Sequence, residues 1–396
     1  MMNTEAIDPH EFEYLSYISL EVKERLTNDE NGLLPAILIK GSDPVKYNIQ
    51  ERMRHYRIPG VSIAVINNGK LEWAKAYGVK QNGTENPVTI TTLFQAASIT
   101  KPMVAAAVLH LAEKGLIDLD APVNEQLTSW KIPANEFTAQ NPVTPKMLIL
   151  HTGGVTGSGF DGYSIDAKIP TLLQILDGLD PANSPPIRVD ATPGANWRYS
   201  GGGYLILQQL MQDVTHKTFS NLLNDIILEP LNMTNSFFSQ PLMSELAKAA
   251  ATGHTSEGEI VVGKWRIYPE LAAGGLWSNP IDLCRFIVEL QQSLDGNANQ
   301  FLSKPMTEYM LSRQFINMGL GFVLGGKDEN LSFTFNGGNA GYRCSLFAYA
   351  SKGQGAVIMT NSDQGDFIIG EIFRSISAEY EWADHKPQIK EMAEVE

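Results

Sequence analysis

Cysteine is nearly missing from these 396 residues, with only Cys284 and Cys344 present. Two thiols so far apart in sequence supply neither a metal-ligand spacing nor the disulfide density of a small secreted scaffold, so two reduced, buried thiols are expected. Basic residues are also short, 30 against 44 acidic, and the formal net charge of -14 repels phosphate backbones and offers anionic membranes nothing. Nucleic-acid and membrane partners are thereby disfavoured. No apolar run approaches the roughly 20 residues that span a bilayer. The opening MMNTEAIDPHEFEYLSYISLEVKERL carries acidic residues throughout and has no apolar stretch of signal-peptide length. A cytoplasmic protein is the expectation, or a periplasmic one if a leader has been removed. The seven histidines show no H-E-x-x-H or comparable ligand spacing, so no metal is expected.

What is present is patterned, and 43% hydrophobic with 19% charged residues is ordinary globular material for one large or two smaller domains. A helix is expected around Val45 to Arg57. IPGVSIAVINNGKLEWAKAYGV then reads as two strands joined at Asn68-Gly69, a dipeptide that tolerates the positive φ of a tight hairpin. Another helix starts near Ile99: Pro102 is tolerated in a first turn, Val104, Val108, Leu111 and Ala112 form an apolar stripe, and Gly115 supplies a stop. From about Asp118 to Lys264 short helical segments broken by Pro and Gly take over. LSFTF, GYRCSLFAYA and GAVIMTN have strand length and composition, ahead of a last helix around Phe367 to Tyr380. Strands at both ends with helices between them predict an α+β fold. Residues 1–115 and 265–396 would build an antiparallel sheet flanked by N- and C-terminal helices, with 116–264 as an inserted, mostly helical domain.

Positions three apart on a helix share a face, so LFQAASITKPM can bring the Ser98 hydroxyl to the Lys101 amine. Serine is a poor nucleophile unless a neighbour takes its proton. A lysine does so only when burial or nearby positive charge lowers its pKa from about 10.4 toward neutrality. The helix N-terminus adds a positive dipole end that favours negative charge on an attacked substrate. The bland alternative is a capping serine and a solvent-facing lysine, and Ser-x-x-Lys arises by chance about once in a chain of this size. Other signals fail their context. Gly157, Gly159 and Gly162 spell G-x-G-x-x-G without a βαβ unit, and Gly321 to Lys327 approaches a P-loop but is followed by Asp328. The hydrolase elbow G-x-S-x-G is missed at Ser62, and His151 in HTGG reads as structural.

Six blocks in order carry a resemblance from about Ile58 to Asn361: IPGVSIAVINNGK, LFQAASITKPMVAAAVLHLAEKGLIDLDAPV, MLILHTGG, WRYSGGGYLILQQLM, ELAAGGLWSNPIDLCRFI and FNGGNAGYRCSLFAYASKGQGAVIMTNSD. They resemble the serine β-lactamase and penicillin-binding-protein superfamily, in its class C β-lactamase, family VIII esterase and D-aminopeptidase branch. The resemblance implies a β-lactamase/transpeptidase-like fold with the active site between the two parts. It implies Ser98 as nucleophile, Lys101 as its base or proton relay, and Tyr199 as the group that moves protons to the leaving group. Gly201 stands where the branch usually has an asparagine that steadies the lysine and reads an acyl amide. The space beside it is either empty or taken over by another group. The family's Lys-Thr-Gly, often His-x-Gly, aligns with Asn336-Gly337-Gly338, which puts a neutral amide where a cation would hold a substrate carboxylate. The backbone N–H of Asn339 and that of Ser98 would form the oxyanion hole. The implied activity is that of a cofactor-free serine hydrolase acting on a small-molecule acyl substrate: a β-lactam, a D-amino-acid amide or peptide, or a carboxylic ester. The departures at Gly201 and Asn336 motivate the alternative of a catalytically silent binding or sensing protein on the same fold.

Overall fold

The computed structural model describes residues 18–298 and 300–391. Most of the N-terminal stretch on which the no-leader expectation rests lies outside the described residues.

Alternation in the first hairpin decides the architecture. Strands β1 (Gly60–Asn67) and β2 (Lys70–Gly78) pair antiparallel across a turn in which Asn68 has φ 52° and Gly69 φ 68°. Along β1, Val61, Ile63 and Val65 join one apolar cluster, whereas Ala64 and Ile66 join another. A strand apolar on both faces must be covered on both. The partners come from the far end of the chain: β3 (Val323–Gly325), β4 (Ser332–Asn339), β5 (Tyr342–Tyr349) and β6 (Gly355–Thr360). Together they form a six-stranded antiparallel sheet in the order β2-β1-β6-β5-β4-β3.

Helices α1 (Leu20–Asn31) and α2 (Ile49–Tyr56) lie on the Val61 face, where Leu26 and Met53 pack with Phe347 and Ile358. The α2 helix starts later than Val45 because the Asn48 side chain accepts from the Gln50 and Glu51 amides and fixes the N-terminus there. The other face receives α3 (Thr100–Glu113), which follows a single 3₁₀ turn at Ala97–Ile99 and stops two residues before Gly115, itself at φ 71°.

Residues 116–264 supply no strand to the six-stranded sheet. They carry short helices and one long one, α4 (Gly201–Thr215), whose Leu205, Leu207 and Leu210 share an apolar cluster with Val104 and Val108 of α3. The short helix α5 (Leu271–Gly274) precedes α6 (Pro280–Leu294), whose Leu283, Phe286 and Ile287 belong to the same cluster. The last helix, α7 (Gly365–Glu379), completes the Val61 face through Ile368, Ile372 and Ile376. Cys284 and Cys344 are both free and buried. Among the described residues no helix is long and apolar enough to cross a membrane.

Candidate active site

Ser98 sits at a forced bend. The two-residue strand Phe94–Gln95 pairs with Trp277–Ser278, and the chain then turns through Ala97 at φ 47°, a left-handed conformation that costs a non-glycine residue about 1–3 kcal/mol. Bonds from Ala96 N to Leu276 O (2.9 Å) and from Ile99 N to Ala96 O (3.0 Å) hold the turn in place. The helix that follows is apolar nearly all round, with Met103 through Leu109 fully buried, and Lys101 is 2% exposed, lining the cleft beside Ser98. Its Nζ lies 3.1 Å from Ser98 Oγ and 2.5 Å from the carbonyl of Ala273 on α5. Desolvation brings the pKa of this amine from 10.5 down to about 7.

Tyr199 completes the contact from the helical part of the chain, its Oη donating to Ser98 Oγ at 2.8 Å. Burial raises the phenol's pKa, partly offset by the bond to Ser98, so Tyr199 is uncharged at neutral pH. The segment that aims it is tied down on both sides. Ser200 Oγ caps α4 by accepting from Gly203 N at 2.9 Å and donates to Thr156 O at 2.9 Å. His151, at φ 58°, accepts from Ser200 N on its Nδ1 (3.1 Å) and from Arg198 N on its carbonyl (2.8 Å), with its ring 4.6 Å from that of Tyr199. Burial, then the Lys101 charge, lowers the His151 pKa to about 3. The histidine is thus a neutral clamp on the Tyr199 segment.

Strand β4 forms the opposite wall. A Cβ on Gly337 would lie 2.3 Å from Ala96 O, 2.6 Å from Cys344 Sγ and 3.2 Å from Ser98 N, so only glycine lets the strand come this close to the bend. Gly338 and Asn339 line the cleft with Ser98 and Lys101. The Asn339 amide donates to Gln95 Oε1 (2.8 Å) and Gly274 O (3.2 Å), fastening the strand end to the bend and to α5.

Asn336 lies elsewhere. It is exposed, its Oδ1 accepts from Ser345 Oγ at 2.6 Å, and it lines a recess with Phe373 of α7 on the far face of the sheet. Because strand side chains alternate, the glycine under Ser98 being Gly337 puts Phe335, not Asn336, on the Ser98 side. The Asn336 side chain therefore does not reach the cleft to take the role expected of it.

The space beside Gly201 is not empty. A Cβ there would meet Phe160 Cε2 at 2.9 Å, so the Phe160 ring takes the place that an asparagine side chain would enter. Phe160 comes from the Gly157–Gly162 loop, which the sequence reading had set aside. Another residue that reading missed is Glu270, 1% exposed, which lines the cleft with Phe160 and Tyr268 and whose carboxylate is pushed up to about 7 by burial. A lone acid before Leu271 carries no periodicity or spacing that would mark it. The cleft is small, about 100 Å³, and adjoins an outer recess of about 440 Å³ that shares Phe160, Tyr268, Gly338 and Asn339 and adds Asp161, Arg343 and Asp363. Among the described residues no cluster of His, Cys, Asp or Glu is placed to hold a metal ion.

A buried lysine and a tyrosine converging on one serine, with glycine-lined backbone behind it, can deliver and retrieve protons at an acyl carbon. Comparison with known proteins agrees in kind. The chain is 28% identical over 258 residues to Protein flp of Staphylococcus aureus, covering 65% of this chain but 46% of that protein, so it spans about half the length of that relative. It is 26% identical over 297 residues to the Teichoic acid D-alanine hydrolase of Staphylococcus aureus, covering 73% of this chain and 68% of that one. The D-amino acid amidase of Ochrobactrum anthropi SV3 has the same fold, with a TM-score of 0.68 at 20% identity over 84% of this chain and 97% of that one. Residues 45–375 match the Beta-lactamase family, and the chain belongs to that family, with its mixed sheet-and-helix fold.

Proposed function

We propose that the protein is a serine hydrolase that works through an acyl-enzyme at Ser98. The observation that carries this reading is the Lys101 amine, buried, with a pKa of about 7, and 3.1 Å from Ser98 Oγ. When Lys101 is neutral its lone pair accepts the Ser98 proton as Oγ attacks the acyl carbon. The backbone amide of Ser98 and the facing end of β4 stabilise the oxyanion. Tyr199, bonded to the same Oγ, passes a proton to the departing alcohol or amine, and the acyl group stays on Ser98. Water then attacks the ester, giving its proton to the Tyr199 oxygen that lost one to the leaving group, while the Lys101 ammonium returns to Ser98 Oγ the proton it took, releasing a carboxylic acid and free Ser98.

Esters, D-amino-acid amides and β-lactams all suit this sequence of steps. The Phe160 ring beside Gly201 disfavours acyl groups that need an asparagine amide for recognition. A fluorophosphonate probe followed by intact-mass measurement tests the reading. One adduct per chain, absent in Ser98→Ala, is the expected result. No adduct with the probe or with any acyl donor would favour a binding protein on this fold.

A further inference from the structure

Glu270 has no role in the proton circuit just described, yet it is buried at the same cleft. Both carboxylate oxygens are buried, and among the described residues no other residue donates a hydrogen bond to them. No lysine, arginine or histidine forms an ion pair with it among those residues. Lys101 lines the same cleft without forming an ion pair with Glu270. A carboxylate out of water with nothing to pair with is costly, and such groups are kept where something else supplies the charge or the donor. The surroundings narrow down what that is. Phe160 and Tyr268 line the cleft with Glu270, and Tyr163 also feels its charge. A carboxylate flanked by aromatic rings is the environment that suits an alkylammonium, which gains from both. The cleft of about 100 Å³ is well under the roughly 300–1,000 Å³ of sites for drug-sized ligands, so the group that carries the cation is small.

Building on the acyl-enzyme reading, we propose that Glu270 receives the ammonium of a small aminoacyl group, so that the enzyme selects alanyl-sized aminoacyl esters or amides over their uncharged counterparts. The acyl carbon lies at Ser98, the ammonium at Glu270, and the leaving group extends into the outer recess lined by Asp161, Arg343 and Asp363. Glu270 is then a specificity residue, and the chemistry at Ser98 does not pass through it.

The test compares D-alanyl, L-alanyl and propionyl esters of one alcohol, which differ in the ammonium and its placement, with the full chain and with Glu270→Gln and Glu270→Asp. The expected result is a kcat/KM for one alanyl ester at least about tenfold above that for the propionyl ester. Glu270→Gln should collapse that preference, mainly through KM, while the propionyl ester loses by a smaller factor. Glu270→Asp, which keeps the charge but shortens the reach, should retain part of the preference. Turnover with no alanyl preference in the native chain, a preference unchanged in Glu270→Gln, or an equal loss of kcat on all three esters would overturn the assignment while leaving the acyl-enzyme intact. No turnover and no probe adduct at Ser98 would overturn the acyl-enzyme reading, and this one with it.

Discussion

The Phe160 ring stands against Gly201, with Cε2 2.9 Å from the point where a side chain on residue 201 would begin. The two positions are complementary: the bulk missing from the first turn of α4 is supplied by a residue 41 positions upstream. Gly201→Asn forces the ring to move, and overpacking of this kind costs about 1–3 kcal/mol. Turnover should fall on every substrate. Phe160→Ala should make room, so Gly201→Asn on that background should be much less harmful. A double-mutant cycle on melting temperature and on kcat/KM measures the coupling, and additive effects would show that the two residues do not share the space.

The neutral state of His151 predicts an absence. With its pKa near 3, lowered by burial and then by Lys101, this ring stays uncharged from pH 5 to pH 9. His151 should therefore contribute no limb to the pH–rate profile in that range. His151→Phe keeps the aromatic contact with Tyr199 but leaves the buried Ser200 N–H without its acceptor, a loss of about 1–3 kcal/mol. The profile's shape should be unchanged while kcat falls. A lost limb between pH 5 and 9 would make the histidine a titrating participant.

Two asparagines three residues apart should behave oppositely. Asn339→Ala cuts the ties to Gln95 and Gly274 at the cleft wall and should lower both stability, by about 1–2 kcal/mol, and turnover. Asn336→Lys places its charge on the far side of the sheet, near Ser345. It should not improve capture of carboxylate-bearing β-lactams relative to neutral esters. A selective gain for the carboxylate substrates would mean that position 336 does reach the cleft.

How much of this was legible depends on the distance over which each signal acts. The sheet assembled from both chain ends followed from local strand patterns and the Asn68-Gly69 turn, because alternation and turn chemistry are written within a few residues. The approach of Lys101 to Ser98 was legible for the same reason, since i,i+3 spacing holds on any helix. The side of the sheet taken by Asn336 was not legible because a strand has a period of two, and which of its two faces meets Ser98 is decided by the tertiary packing of Gly337 against the bend. Phe160 and Glu270 carry no spacing or periodicity that marks them, although Glu270 opens the block ELAAGGLWSNPIDLCRFI. The first lies in a glycine-rich loop and the second before a short helix, and only the tertiary fold brings both to Ser98. The depressed pKa of Lys101 is likewise a property of burial, supplied by an apolar α3 and the packing around it.

The central claim is that the Lys101 amine, made neutral by burial, takes the Ser98 proton. Its most direct test is the rate at which a neutral acyl ester labels Ser98, followed by intact mass from pH 5 to pH 9 in the native chain and in Lys101→Met. Below about pH 7 the amine is charged and has no lone pair to offer, whereas above it the free amine predominates. The native rate should therefore climb about tenfold per pH unit on the acid side and level off above roughly pH 7. Lys101→Met should be slower by about 10²–10⁴ with that limb gone. A Lys101→Met chain that labels Ser98 at the native rate at neutral pH, or that keeps the same limb near pH 7, would contradict the account.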